Sequence, residues 1–351
     1  MNPTDLKTAD ALRARHQELV QREPKLRIRE RARQLDVSEA ELVTAGCGPQ
    51  AIELDLQSPQ TLFQALGTLG EVMALTRNDW AVHERHGRYE QIEIEPGAMM
   101  GVTLGPDIDL RMFFGHWRYA YAVTEGERHS LQFFDREGVA VHKVYRTPAT
   151  DAAAWEALVK QFARPGPVRM PVLEPIAVPP EADAVADAAA LRSQWRGLED
   201  VHGFYPMLRQ LRVSRLAALR AAGHELAQRV GADAAETVLH AAAEARLPIM
   251  CFVGNRAMVQ IHTGPVERLV RTGPWLNVLD ARFNLHLDTT AITECWVVNK
   301  PSPEGWITSL EAYEAGGEMV VQFFGARKPG EPQLAAWREL AEGLCSEPMA
   351  A

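Results

Sequence analysis

"VMALTRNDWAVHERHGRYE" (residues 72–90) decides the fold, because the chain carries it twice. Residues 249–267, "IMCFVGNRAMVQIHTGPVE", align on it without gaps and keep the Met, the Asn, the Gly and the final Glu. A second pair, "SLQFFDREG" (130–138) and "VVQFFGARKPG" (320–330), shares Gln-Phe-Phe. Recurrence of the same segments in the same order reads as a tandem duplication.

Outward from the first copy, 74–145 is a series of short runs rich in Val, Ile and aromatic residues. Turn signals such as Gly-Pro-Asp and Arg-Glu-Gly divide them, the pattern of an antiparallel sheet. "DAAAWEALVKQFA" follows as a helix with Asp151 as its cap. The stretch 164–181 carries six prolines, which neither continue a helix nor fill a central strand, and it reads as a linker. Beyond it come long helices in "ADAVADAAALRSQWRGL", "MLRQLRVSRLAALRAAG" and "ETVLHAAAEARL". The strand pattern then returns from Ile249 to Ala326. At the start, residues 5–45 are helical with a break at Asp36–Ser38, where Ser38-x-x-Glu41 forms a capping-box pattern. The expected class is α+β. Residues 1–163 form an N-terminal repeat, 164–181 a linker and 182–351 a C-terminal repeat, each repeat being helices plus a large antiparallel sheet. Clefts between such halves and the linker helices are where ligands sit.

The composition, 46% hydrophobic and 24% charged, is that of a globular protein. A net charge of -9 argues against a nucleic-acid backbone as the main partner. It also weighs against reading the short helical pair around residues 28–45 as a DNA-binding helix-turn-helix rather than a packed cap. Cys47, Cys251, Cys295 and Cys345 lie far apart with no metal-type spacing. No apolar run reaches the length needed to span a bilayer, and the charged N-terminal stretch has no apolar signal core, so a cytoplasmic location is expected. Walker A, dinucleotide-binding, HExxH and Gly-x-Ser-x-Gly patterns are missing from the sequence.

What remains is a set of cations in apolar strands: Arg111 in "IDLRMFF", Lys300 in "CWVVNKP" and Arg327 after "QFFGA". The ordinary role of such residues is a solvated rim. Together with a histidine among aromatic residues they would also suit a flat, apolar, dianionic ligand. His202, in "EDVHGFYPML", is that histidine. On the residues alone a core histidine at a helix start is the simpler reading. His83 and His86, three apart on one strand, point to opposite faces and make poor partners for one metal.

The segments "GEVMALTRNDWAVHERHGRYE", "DIDLRMFFGHW", "HSLQFFDREGVAVHKVY", "GNRAMVQIHTGPVERL", "GPWLNVLDARFNLHL" and "VVQFFGARKPGE" resemble the bacterial cytoplasmic hemin-binding, hemin-degrading proteins of the HemS type, over nearly the whole chain. The resemblance implies a tandem duplication with haem b (hemin, iron protoporphyrin IX) in a cleft between the halves and the linker helices. It implies that His202 ligates iron, in the context Trp195, Leu198, His202, Phe204. It places Arg111 on the opposite face as the candidate catalytic residue, with Phe113 lining the pocket. Lys300, Arg327 and Arg215 become propionate-side cations, and Gln322 and Phe252 become pocket residues. His83 would be the candidate ligand for a second haem. The implied function is cytoplasmic haem binding in bacterial haem uptake, with haem degraded to release iron by externally supplied electrons. The alternative is a carrier that stores haem and delivers it to a separate haem oxygenase. Implied partners are haem, an inner-membrane haem importer, and a reductase or haem oxygenase. One departure stands out: after His202 the chain reads Gly-Phe-Tyr-Pro, so the helix is expected to begin closer to His202 than in the family pattern.

Overall fold

The structure, a computed structural model, describes residues 3–48, 50–166, 168–176, 182, 184–328 and 330–350. The chain forms two compact units. Residues 1–77, 84–177 and 255–260 make unit 1, and residues 78–83, 178–254 and 261–351 make unit 2.

The first half runs α1 (Pro3–Arg22), α2 (Ile28–Leu35), α3 (Glu39–Ala45), β1 (Ala51–Leu54), α4 (Pro59–Ala65), β2 (Gly70–Arg77), β3 (Ala81–Gly87), β4 (Ile92–Glu93), β5 (Met100–Leu104), β6 (Asp109–Phe113), β7 (Trp117–Glu125), β8 (Arg128–Asp135), β9 (Ala140–Thr150) and α5 (Ala152–Phe162). The second runs α6 (Ala188–Arg196), α7 (Phe204–Leu211), α8 (Arg215–Ala221), β10 (Ala227–Val230), α9 (Ala234–Ala245), β11 (Ile249–Asn255), β12 (Met258–Gly264), β13 (Leu269–Thr272), β14 (Trp275–Leu279), β15 (Phe283–Asp288), β16 (Glu294–Ser302), β17 (Gly305–Tyr313), β18 (Met319–Gly325) and α10 (Ala335–Glu342). Strand order in unit 1 is β1-β7-β8-β9-β2-β3, and in unit 2 it is β10-β16-β17-β18-β11-β12. The same antiparallel order in both is the duplication in physical form.

Central strands are covered on both faces. In β17, Leu310 and Ala312 join the core formed with α9 and α10. The alternate Tyr313 faces the helical cluster of Leu191, Trp195, Phe204 and Leu208. In β8, Leu131 and Phe133 pack with Leu62, Phe63 and Trp155, while Phe134 faces Ala40 and Val43 of α3. A strand buried on both faces has no solvent side to keep polar.

The duplicated Asn explains why that residue is kept. Asn78 Oδ1 accepts from Trp80 N (3.0 Å) and Ala81 N (2.8 Å), and its amide donates to Val320 O at 2.9 Å. Asn255 Oδ1 accepts from Ala257 N and Met258 N (both 3.0 Å), and its amide donates to Arg77 O and Val141 O (both 2.9 Å). Each side chain thus closes a turn and ties it to a neighbouring strand. Asn255→Ala is expected to strand several backbone groups and cost about 2 kcal/mol or more, read as a lower urea midpoint. A midpoint equal to the parent's would contradict this role.

Several local expectations meet the structure directly. The Ser38–Glu41 capping box forms, with both reciprocal bonds present (Glu41 N to Ser38 Oγ 3.1 Å, Ser38 N to Glu41 Oε2 2.8 Å). Asp151 caps α5 by accepting from Ala154 N at 2.9 Å. The described part of 164–176 contains no helix or strand, and it is fastened to unit 1 by Glu174 N to Arg136 O and Ile176 N to Glu137 Oε1. Residues 167 and 177–181 of the expected linker lie outside the described set.

Three expectations are corrected. The helix expected across "ADAVADAAALRSQWRGL" is shorter, because Asp187 caps it by accepting from Ala190 N and starts it at Ala188. "MLRQLRVSRLAALRAAG" is two helices. Arg212 takes a left-handed conformation (φ 54) and Ser214 caps the next helix. The Gln-Phe-Phe pairing of 130–138 with 320–330 is not structural, since β8 occupies the place of β17, whereas β18 corresponds to β9. The strands β1 and β10 and the helices α4 and α10 were not foreseen.

Candidate functional site

α7 is preceded by a single 3-10 turn, Val201–Gly203, built on Asp200. The Asp200 carboxylate accepts from His202 N at 2.7 Å and also meets His202 Nδ1. The backbone N–H of His202 is the main cause that holds the Asp200 carboxyl below its usual range, with the charge of Arg327 contributing. With Nδ1 engaged by a carboxylate, Nε2 is the ring nitrogen left to bind a metal. The His202 side chain is 85% exposed, so it is not the core histidine that the residues alone suggested. Gly203 packs closely on the preceding turn: a Cβ there would lie 3.2 Å from Leu198 Cδ2, and the end of that side chain would have to shift slightly. The helix starts two residues after His202, and Pro206 sits in its first turn, where a missing N–H costs no bond.

Phe204 fixes this turn to the unit. It is buried edge-on to Trp195 (4.5 Å between centroids), whose indole donates to Asn299 O at 2.9 Å. Two cations sit on the same ring, Arg215 Cζ at 5.0 Å and Lys300 Nζ at 4.9 Å from its centroid. Both are held by Glu311, a carboxylate with no solvent exposure in the middle of β17. Arg215 donates to it bidentately (2.7 and 2.5 Å) and Lys300 at 2.9 Å. Gln322 donates at 2.7 Å, Ser309 at 3.1 Å and Tyr313 at 2.5 Å. Burial alone would raise this carboxyl, but Arg215 and then Lys300 keep it well below the usual carboxylate range. Burial pushes the Lys300 ammonium down to about 8 against the pull of Glu311.

Sheet register extends the same face. Trp296, Glu311, Gln322 and Phe252 are successive partners across β16, β17, β18 and β11. Phe252 packs on Phe324 with centroids 5.0 Å apart. Arg327 follows β18, with Glu304 4.0 Å away. Unit 2 therefore brings Arg215, Lys300, Gln322 and Phe252 together on one face, with His202 in the turn before Phe204. Lys300 departs from the solvated rim that is the ordinary place of such a cation; it is buried and paired.

Arg111 and Phe113 belong to unit 1, on β6. Arg111 pairs with Asp109 and donates to Leu110 O at 3.0 Å. Burial raises the Asp109 carboxyl against the pull of Arg111. His83 does not offer itself as a ligand: it has no solvent exposure and packs on Phe283, its ring centroid 4.9 Å away. Among the described residues no three His, Cys, Asp or Glu side chains are placed to hold a metal ion. A lone imidazole suits an iron that arrives already chelated by a macrocycle.

Sequence reasoning missed Glu311, Asp200 and Phe324. Asp200 had a signal in its i, i+2 spacing to His202, and Glu311 in being the one carboxylate of "WITSLEAY".

A family model described as the haemin-degrading HemS.ChuX domain matches residues 36–162 and again residues 212–344. The hemin transport protein HmuS of Yersinia pestis is 42% identical over 328 residues, covering 92% of this chain and 94% of that one. The crystal structure of holo-PhuS, a heme-binding protein from Pseudomonas aeruginosa, matches with a TM-score of 0.93 at 46% identity, over 96% of this chain and 99% of that one. The heme degrading enzyme ChuS of Escherichia coli O157:H7 matches with a TM-score of 0.89 at 34% identity, over 96% and 99% of the two chains.

Proposed function

Since the chain belongs to the haemin-degrading HemS.ChuX family, we propose that it binds haem b at the α7 face of unit 2 and degrades it to release iron, in the cytoplasm, with electrons supplied from outside. The observation that carries this reading is His202 itself. It is an exposed imidazole, oriented through Nδ1 by Asp200, at the start of a helix whose next ring is bracketed by two cations. In this reading His202 Nε2 ligates the iron. Phe252 and Phe324 give apolar wall. Arg215, its side chain 25% exposed, and Arg327 pair with propionates, with Lys300 adding charge from behind. Arg111, carried over from the family pattern, would be the residue that acts on the bound haem. Bound haem supplies the iron and the oxygen chemistry.

The relatives divide between a heme-degrading enzyme and a heme-binding or hemin transport protein, so the second reading is a carrier that passes haem to a separate oxygenase. The test is to incubate the haemin complex with a physiological reductant, aerobically and anaerobically, with catalase present to remove free peroxide. Loss of the Soret band with release of iron and tetrapyrrole product is expected. A stable spectrum, with haem passing to an added haem oxygenase, would replace degradation by carriage. Either role is served without insertion in a membrane by a helix: among the described residues none is long and apolar enough to cross one.

A further inference from the structure

We propose that Glu311 is a positioning residue of the haem site, fixing Arg215, Gln322 and Lys300 so that a propionate meets a preformed cationic face. The proposal rests on the haem reading above. Six side-chain hydrogen bonds end on this one carboxylate, from five residues on four elements. Two cations against one anion leave one positive charge in excess. Without the carboxylate, two cations that now share one acceptor oxygen would be left side by side with no anion between them, and Arg215, with a quarter of its side chain exposed, would turn to solvent.

Comparison of the two repeats shows that this arrangement is not demanded by the fold. "ARQLDVSEA" (32–40) and "LRQLRVSRL" (208–216) are the same element in the two halves. α2 and α7 are both eight residues long. Asp36 and Arg212 both end them at left-handed φ (56 and 54), and Ser38 and Ser214 both cap the next helix. Glu39 therefore stands where Arg215 does. "SLQFF" (130–134) corresponds in the same way to "SLEAY" (309–313). Gln132 faces Lys143 across β8 and β9 as Glu311 faces Gln322 across β17 and β18. Unit 1 thus builds the same face with a neutral Gln132 in the strand and with Glu39 holding Lys143 (3.1 Å) and Arg77 (2.9 Å). Two residues before α2 is Leu26; two residues before α7 is His202. The strand carboxylate accompanies the imidazole, and a glutamine in its place is compatible with the fold.

That comparison selects Glu311→Gln as the test. Apo parent and variant are titrated with haemin and with haemin dimethyl ester, which keeps the ring and iron but has no carboxylates. The variant is expected to bind haemin about tenfold more weakly, or worse, with an unchanged His-ligated Soret position, and to bind the ester as the parent does. Equal losses for haemin and ester, or no loss for either, would overturn the positioning role. Glu311→Asp, which keeps the charge but withdraws it by one methylene, serves if the Gln variant does not fold. It should show the same selective loss for haemin, and full retention of haemin affinity would overturn the proposal. Failure of the underlying haem reading looks different: the parent itself would show no His-ligated spectrum.

Discussion

Lowering the pH from 6.5 to 5 is expected to remove about 2 kcal/mol of stability through His142 alone. His142 is completely buried, with Nδ1 2.9 Å from Thr76 Oγ1 and Nε2 2.6 Å from Tyr89 Oη, and the Phe133 ring stacks beside it at 6.4 Å. Both partners are hydroxyls that can donate or accept, so the network accommodates a neutral imidazole with one donating and one accepting nitrogen. Burial pushes its pKa from 6.5 down to about 3. The unfolded chain takes up a proton near pH 6.5 and the folded chain only near 3. The stabilisation is therefore complete above 6.5 and is lost as pH falls through that window, reaching about 5 kcal/mol at its lower end. Urea unfolding at pH 7.5 and 5.0 measures it. His142→Gln, which keeps hydrogen-bonding capacity without titrating, should be less stable at pH 7.5 but should show about 2 kcal/mol less loss between the two pH values. The same pH dependence in both proteins would contradict the assignment.

The fold was legible where short-range chemistry decides it. The capping box at Ser38 and the Asp151 cap depend on residues within a few positions; the repeat marked Asn78 and Asn255 only as a kept pair, and the turns they close came from the structure. The helix break at Arg212 was not legible, because a non-glycine residue in the left-handed region gives no composition signal. The mistaken strand equivalence of β8 with β18 came from weighing three identical letters above strand order. "SLQFF" against "SLEAY" is the weaker match by eye and the correct one by register.

The candidate site divides in the same way. His202 and its aromatic neighbours lie within one turn, and the resemblance placed them. The cluster around Glu311 joins residues up to 96 positions apart. In a chain with 46 acidic residues its one local mark, being the lone carboxylate of "WITSLEAY", did not say which residues it would hold. The residues alone left Lys300 between a solvated rim and an anion-facing role, the resemblance made it a propionate-side cation, and its burial could not be foreseen without knowing that Glu311 sits on the adjacent strand.

His202→Ala should abolish iron ligation while leaving the protein folded. The side chain is 85% exposed and fills no core space, so its truncation should change stability by no more than about 0.5 kcal/mol. Its loss as a ligand is another matter, since no second histidine of α7 or of the preceding turn stands in for it. Asp200→Asn is expected to act more mildly. It keeps the ligand but weakens the acceptor at Nδ1, lowering haemin affinity about 10- to 100-fold with the spectrum retained. The most direct test of the account is a haemin titration of His202→Ala beside the parent, followed by the Soret and visible bands. The parent should show a His-ligated spectrum that disappears in the variant, with affinity reduced at least about tenfold; the parent's spectrum and affinity in the variant would remove His202 as the ligand.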